Sequence, residues 1–367
     1  MRVLLQGIAG GVGGAQTAFR RLADFLFDEG HEVGILAISM ADGELPARQK
    51  EALLCRLPHS SRGVRGTLAK AAGVGRAAFL ARRFAPDVFV SIGLARTANS
   101  VGRALQEPCF KFAQDFIFDR PLDDPLLKGA AAAFDGLACQ TQSMAAAFRK
   151  GGFDACPINW LPCFPDAPAE GCAKQARPWD GQVRLAYFGR LEQHKGLDAL
   201  LEALASAGDA AGFSLDIWGS GREERNLNAL RVQLGIAQSV QLRGAYPGGV
   251  EGARMMCTYD AIALPSTGCE GLPLILLEAM AYGIPFLATD VGAIRDCCQD
   301  NPDAILAQPR LDAIAGGLRE LARRFESGEL CPDRLRDYYR RRFSYEVMAE
   351  RWRECLRAPQ AFFAQAP

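Results

Sequence analysis

Two glutamates, Glu270 and Glu278, stand eight positions apart beside a turn that exposes backbone amides. Carboxylates accept hydrogen bonds from hydroxyl groups, but they do not bind phosphate. The amides of Gly271 and Leu272 open a predicted helix, and amides at a helix N-terminus bind phosphate. Hydroxyls for the carboxylates and phosphates for the amides together describe a sugar nucleotide. For either glutamate alone, a solvated surface residue is an equally good interpretation.

A strand and a helix position these two carboxylates. The apolar run 260–264 predicts a buried parallel strand, and Pro273 suits the first position of a helix that Gly283 ends. Glu270 would then lie in the loop that leaves the strand, and Glu278 about two turns into the helix. In an open α/β sheet, such a loop lies at the carboxyl ends of the strands, where ligands bind.

The whole stretch resembles the E-x7-E signature of family 4 glycosyltransferases, whose common form is E-G-L-P-L-x-x-L-E-A-M-A-x-G-x-P. The match runs from Glu270 to Pro285 and is close to letter-perfect. The resemblance implies an α/β protein of GT-B architecture, with two Rossmann-like, doubly wound domains that face each other across a cleft. It also implies sugar transfer from a nucleotide-diphosphate donor with retention at the anomeric carbon. Glu270 would hold sugar hydroxyls, and Glu278 would accept the ribose hydroxyls.

A second motif, in the segment 189–196, supplies positive charge. The predicted strand 183–188 leads into Gly-Arg-Leu-Glu-Gln-His-Lys-Gly, which resembles the family's G-R-L-x-x-x-K-G. Arg190 and Lys195 place two cations, together with free amides at a helix start, where a diphosphate could bind. In the implied reaction they stabilise the charge on the departing diphosphate. The alternative interpretation is that Arg190 and Lys195 are ordinary surface cations. His194 stands at a variable position of the pattern and receives no role.

The glycine-rich loop 7–14 follows the first predicted strand. It resembles the family's G-G-A segment, which implies that Gly13 and Gly14 let the backbone approach the donor diphosphate and the acceptor closely. A nicotinamide oxidoreductase is the alternative interpretation of this loop. The dinucleotide fingerprint G-x-G-x-x-G does not fit cleanly, however, and no acidic residue ends the second strand.

Three further strand ends carry weaker resemblances. Gln114-Asp115 stands where the family commonly has His-Asp, so only Asp115 carries over as a sugar contact. The turn at Gly219 resembles the G-x-G strand end that lines the nucleotide. The predicted strand 238–243 ends at Gly244, where the family reads the base mostly through the backbone. These contacts do not distinguish UDP from GDP as the nucleotide of the donor.

Length and composition allow two domains and exclude several classes of protein. The chain has 367 residues, 49% of them apolar, and its 42 basic residues balance 42 acidic ones. This balance argues against a nucleic-acid binder. Twelve scattered cysteines without a CxxC pair predict free thiols in a reducing compartment and no metal site. With no signal-peptide core and no apolar run of transmembrane length, we expect a metal-independent cytoplasmic enzyme that needs no cofactor besides its donor.

The predicted domain organisation follows the two βα-rich halves of the chain. An N-terminal acceptor domain spans 1–168, and a Pro-, Ala- and Gly-rich linker spans 169–182. The donor domain spans 183–345. The last helix, 346–367, is expected to cross back to the N-terminal domain, as it does in the family.

The expected partners are a nucleotide-sugar donor and a glycan or lipid-linked acceptor, by analogy in bacterial surface polysaccharide synthesis. The basic helical segment 62–83 is either an ordinary solvated helix or a peripheral contact with the cytoplasmic face of the inner membrane. Two other functions stay open. A nucleotide-sugar hydrolase or epimerase of the same double fold would turn over the donor without an acceptor. A non-catalytic sugar-nucleotide binder would bind a nucleoside diphosphate without any turnover.

Overall fold

The computed structural model describes residues 1–9, 14–38, 45–57, 64–94, 96–115, 125–165, 168–175, 177–206, 212–268 and 270–365, of which 64–70, 96, 115 and 125–127 are described by their backbone only. The chain forms two compact units. The first comprises Met1–Pro165 and Met348–Pro367, and the second comprises Asp166–Val347. No helix in the described ranges combines the length and the apolar composition needed to cross a membrane.

The first unit is built on a seven-stranded parallel sheet. Its strands are β1 (Arg2–Ile8), β2 (Glu32–Ile38), β3 (Leu53–Leu57), β4 (Val88–Ile92), β5 (Phe110–Asp115), β6 (Gly136–Cys139) and β7 (Ile158–Trp160), in the order β3-β2-β1-β4-β5-β6-β7. Its helices are α1 (Gly14–Asp28), α2 (Ala47–Glu51), α3 (Val64–Phe84), α4 (Arg96–Ala104), α5 (Pro125–Ala131) and α6 (Gln142–Lys150). The central strand β4 is buried at all five positions, as expected for a parallel strand covered on both faces.

The second unit is built on a six-stranded parallel sheet. Its strands are β8 (Val183–Phe188), β9 (Phe213–Trp218), β10 (Val240–Gly244), β11 (Ala261–Leu264), β12 (Phe286–Thr289) and β13 (Ala304–Ala307), in the order β10-β9-β8-β11-β12-β13. Its helices are α7 (Leu197–Ser206), α8 (Glu224–Gln233), α9 (Gly249–Met256), α10 (Leu274–Tyr282), α11 (Ile294–Cys298), α12 (Leu311–Glu326) and α13 (Pro332–Arg342). A 3-10 turn, Gln193–Lys195, follows β8.

The last two helices are α14 (Tyr345–Arg357) and α15 (Pro359–Ala364). They cover the segment that was predicted to cross back to the N-terminal domain. Trp352 is fully buried, and its indole Nε1 donates a hydrogen bond to the carbonyl of Pro162 at 2.8 Å. From Met348 onward the chain therefore belongs to the first unit, whereas the predicted boundary of this segment lies at residue 346.

A buried ion cluster holds the predicted linker 169–182 to the second unit. Asp260 accepts hydrogen bonds on both carboxylate oxygens from Arg177, at 2.8 and 2.6 Å, and from Lys174 at 2.9 Å. Burial raises the pKa of Asp260, but these donors and the amide of Arg184 outweigh it and lower the pKa to about 2. Because Lys174 and Arg177 bind the residue that precedes β11, this segment packs as part of the second unit.

Candidate functional site

The two sequence motifs follow neighbouring strands of the second sheet. The strand order reverses between β8 and β11, which pair in parallel. The loop after β8 carries Arg190 and Lys195, and the loop after β11 carries Glu270. In open α/β sheets, ligands bind outside the carboxyl ends of the strands at such a reversal. The topology of the sheet therefore brings both motifs to one edge.

A salt bridge joins the two motifs directly. Lys195 Nζ lies 2.5 Å from Glu270 Oε1, and the two side chains are only 15% and 9% exposed. The same carboxylate oxygen accepts a hydrogen bond from Ser266 Oγ at 2.5 Å, and Ser266 is fully buried. Charge-assisted hydrogen bonds are strong in surroundings that exclude water. The carboxylate of Glu270 is thus held in one orientation by two donors from different loops.

The backbone around Glu270 is fixed as firmly as its side chain. The carbonyl of Glu270 accepts a hydrogen bond from the amide of Ala293 at 2.9 Å. Gly292 has a φ of +55°, and a Cβ at this position would collide with the carbonyl oxygen of Glu270. The hydroxyl of Thr289 donates to the carbonyl of Ser266. The loop after β12 therefore supports the loop that carries the carboxylate.

The loops after β8 and β11 are also hydrogen-bonded to each other. The carbonyl of His194 accepts hydrogen bonds from the amides of Thr267 and Gly268, at 2.9 and 3.1 Å. Gly196, with a φ of +65°, lies so close to Pro265 that a Cβ would collide with its carbonyl oxygen. His194 thus contributes its backbone to the site, at a position where the motif leaves the side chain variable.

A buried tyrosine supports the segment around Arg190. The hydroxyl of Tyr187 donates a hydrogen bond to the carbonyl of Arg190 at 2.8 Å. Burial raises the pKa of Tyr187, and the nearby charge of Glu270 raises it further, so the hydroxyl keeps its proton and its role as donor. Gly219, with a φ of +138°, packs against Gly189 where a Cβ would collide with the carbonyl oxygen. The side chain of Arg190 is exposed at this edge.

Helix α10 positions the second glutamate and the predicted phosphate-binding amides. Gly271 and Leu272 are buried and precede the helix, and Gly283 ends it with a φ of +77°. The prediction that Pro273 is the first helical residue is wrong by one position, because its ψ of 106° is extended and makes it the N-cap. Glu278 is half-buried and lies in the second turn of α10, slightly closer to the N-terminus than predicted.

The predicted residues of the first unit lie at the ends of two other elements. Asp115 is the last residue of β5 and is described by its backbone, whereas Gly14 is the exposed first residue of α1. Gly13 lies outside the described residues. Gln114 is buried, and its Nε2 donates to the carbonyl of Leu161 at 2.8 Å. The glutamine that stands in place of the family's histidine therefore holds the backbone of the first unit together.

The structure thus joins Lys195 to Glu270 by direct contact, packs Gly219 beside the residue that precedes Arg190, and keeps Glu278 on a separate helix. Sequence reasoning missed several residues that support these groups, namely Ser266, Tyr187, Gly196 and Gly292. Ser266 carried a usable signal, since it is a small polar residue near the end of a buried strand. Gly196 belongs to the quoted motif, but its contact with Pro265, like that of Gly292 with Glu270, depends on a segment that is distant in the sequence. Tyr187 lies only three positions from Arg190, and nothing in its apolar strand indicated the hydrogen bond.

The sequence of the second unit is similar to known glycosyltransferases. Residues 182–324 match the family model described as glycosyl transferases group 1. The amylovoran biosynthesis glycosyltransferase AmsK of Erwinia amylovora is 31% identical over 153 residues, which are 40% of this chain and 37% of the relative. The chain spans less than half the length of the curated relatives that it matches.

Two solved structures share the fold over nearly the whole chain. Sucrose-phosphate synthase from Thermosynechococcus elongatus superposes with a TM-score of 0.80 at 16% identity, covering 99% of this chain and 100% of the other. HepE of Anabaena, solved in complex with UDP, superposes with a TM-score of 0.78 at 16% identity, covering 98% and 100%. At these identities the likeness establishes the fold alone, and it confirms the predicted two-domain, Rossmann-like GT-B fold.

Proposed function

We propose that the protein transfers a sugar from a nucleotide-diphosphate donor with retention at the anomeric carbon, and the match of residues 182–324 to the group 1 glycosyl transferase model supports this proposal. The observation that carries the proposal is the contact between Lys195 and Glu270 at the strand-order reversal. The acceptor is a glycan or a lipid-linked glycan of a surface polysaccharide. The relative AmsK, which is named for amylovoran biosynthesis, supports this class of acceptor.

A nucleotide sugar is the donor that the site chemistry favours. HepE, which shares the fold, has been solved with UDP-glucose, and this supports a donor of the same class here. Lys195 has three N–H donors, so it can hold Glu270 and a phosphate oxygen at the same time. Arg190 is exposed at the same sheet edge and reaches the diphosphate from the neighbouring position. Glu270 then binds the hydroxyls of the sugar, and Glu278 binds those of the ribose.

The chemical step depends on charge stabilisation and positioning. Negative charge builds on the departing diphosphate, where Arg190, Lys195 and the amides before α10 stabilise it. The leaving phosphate takes the proton of the acceptor hydroxyl, so the reaction needs no separate base. The cations neutralise the diphosphate, and in this proposal the donor is the one small molecule besides the acceptor that the reaction requires.

Nucleoside diphosphates and their sugars are expected to raise the melting temperature of the protein, because a ligand that binds the folded state stabilises it by mass action. Glu278→Ala should lose about tenfold in affinity, or about 1.4 kcal/mol, as the ribose hydroxyls lose their acceptor. His194→Ala should keep the full shift, because His194 contacts the neighbouring loop through its carbonyl. Differential scanning fluorimetry with UDP, GDP and their sugars measures the shift in melting temperature for the wild-type protein and the two variants. Equal shifts for the two variants would contradict the assignment of Glu278.

Turnover of the nucleotide-sugar donor, with and without an acceptor, distinguishes the proposed function from the two alternatives. A hydrolase or epimerase would consume the donor at its full rate in the absence of any acceptor. A binding protein would show the thermal shift but no turnover with a panel of glycan and lipid-linked acceptors. Transfer that depends on the acceptor is the result that the proposal predicts.

Helix α3 presents a basic surface that we propose as a contact with anionic lipid. The sequence of the helix contains no acidic residue over its 21 positions. Phe79 is 63% exposed, and Arg76 and Arg83 are exposed one turn to either side of it. A bulky apolar residue between cations suits the interface of an anionic bilayer, where each cation contributes about 1 kcal/mol. Such a contact would bring the protein to a lipid-linked acceptor.

Phe79→Ser is expected to lower the partitioning of the protein onto anionic vesicles by about tenfold or more, because a buried Phe contributes roughly 1.5–3 kcal/mol. Co-sedimentation with vesicles of phosphatidylglycerol and phosphatidylcholine measures this change. Val232→Ser is the matched control, since Val232 on α8 is 61% exposed. Binding that does not depend on phosphatidylglycerol, or an equal loss in both variants, would refute the contact.

A further inference from the structure

An exposed aromatic ring lies at the edge of the second sheet that carries the proposed donor site. Tyr246 is 41% exposed and follows β10 by two residues. Gly244, the last residue of β10, has a φ of +74°, which turns the chain at the end of the strand. An exposed tyrosine at the carboxyl edge of a parallel sheet faces the region where ligands of such sheets bind.

A buried neighbour holds the ring of Tyr246 in place. Its centroid lies 5.3 Å from that of Phe188, with the two planes at 76°. Phe188 is only 3% exposed, and Tyr259 packs against it as a second edge-to-face contact at 5.9 Å. Edge-to-face packing of this kind is favourable and has a defined geometry. The tyrosine therefore offers part of its surface to solvent while its orientation is set by the core.

The ring also lies next to the loops that carry the phosphate-binding groups. Phe188 is the last residue of β8 and is followed directly by Gly189 and Arg190. On the other side, the carbonyl of Gly244 accepts a hydrogen bond from the amide of Gly219 at 2.6 Å. Tyr246 therefore contacts Phe188, which directly precedes the turn at Gly189, and the strand before Tyr246 is hydrogen-bonded to the turn at Gly219. These two turns pack against each other beside Arg190.

We propose that Tyr246 is the platform on which the base of the donor nucleotide stacks. This inference rests on the proposed function, because it needs a nucleotide at this edge of the sheet. Stacking of a base on an aromatic ring strengthens binding by about 10- to 100-fold and tolerates every base, since each base has a π-face. A stacked ring would therefore bind uracil and guanine alike, while the backbone of the loop reads their polar edges.

Tyr246→Ala is expected to weaken the binding of both UDP and GDP by about 10- to 100-fold. It should leave the binding of inorganic pyrophosphate unchanged, because pyrophosphate has no base. Tyr246→Phe keeps the ring and should bind all three ligands like the wild-type protein. Isothermal titration calorimetry on the full chain measures these affinities. Tyr345→Ala, which removes another partly exposed tyrosine of the second unit, is the matched control.

Each outcome bears on one of the two proposals. Unchanged UDP affinity in Tyr246→Ala would overturn the stacking role while leaving the proposed function intact. A loss of UDP affinity in Tyr246→Phe would assign the effect to the hydroxyl and overturn it as well. A parallel loss of pyrophosphate affinity would show that the substitution disturbs the phosphate site itself, which also overturns it. If no nucleoside diphosphate or nucleotide sugar binds the wild-type protein, the proposed function fails and the stacking role fails with it.

Discussion

Replacing Lys195 by alanine is expected to lower kcat for sugar transfer by about 10²–10³-fold. The ammonium group contacts Glu270 at 2.5 Å and is the cation that the structure holds most firmly at the proposed diphosphate site. Because charge builds on the leaving diphosphate only as the glycosidic bond breaks, the loss should fall on kcat more than on KM. Steady-state kinetics with the donor selected by the thermal-shift screen measure both constants.

Two comparisons make the result for Lys195 specific. Arg319→Ala removes an exposed cation on α12, away from the strand-end loops, and should leave kcat unchanged. A double-mutant cycle with Glu270→Gln tests whether the two groups act as a unit, since residues in direct contact give non-additive effects. A kcat within twofold of the wild-type value for Lys195→Ala would rule out its role at the leaving group.

Replacing Asp260 by alanine is expected to destabilise the second unit by about 3–5 kcal/mol, because breaking a buried ion pair leaves its cations uncompensated. Lys174, only 9% exposed, and Arg177 would both lose this partner. For a unit of this size the loss corresponds to a fall of roughly 10 °C in melting temperature. Differential scanning calorimetry resolves the transition. Asp180→Asn is the control, since Asp180 is an exposed partner of the same Arg177 and its replacement should leave the melting temperature nearly unchanged.

The same carboxylate predicts a pH dependence of stability. The pKa of Asp260 is about 2 in the folded protein against an ordinary value of 3.8. A lowered pKa contributes stability that is fully present above the ordinary value and is lost as the pH falls from about 4 towards 2. The difference amounts to about 2 kcal/mol. Asp260→Asn should lack this part of the acid dependence, and an unchanged acid profile in Asp260→Asn would exclude the ion cluster as its source.

Strands were predictable where an apolar run is bounded by breaking residues. The predicted strand 183–188 has the bounds observed for β8, because its apolar run ends at a glycine. The start of α10 was misplaced by one residue, since proline is acceptable both at the N-cap and at the first helical position. The anchoring of segment 169–182 could not be predicted, because its composition is that of a linker and its ion-pair partner is remote in sequence.

The sequence by itself determined which chemical groups stand at the strand ends: cations after β8, and carboxylates and amides after β11. These choices are local, because a motif combines residue types with the turn or helix start that presents them. Only the tertiary structure decided that Lys195 and Glu270 touch, since this contact needs β8 and β11 to become neighbours where the strand order reverses. It also decided that the carboxylate of Glu270 has two donors, because Lys195 reaches it from the loop after β8 while Ser266 donates from within the loop of Glu270 itself.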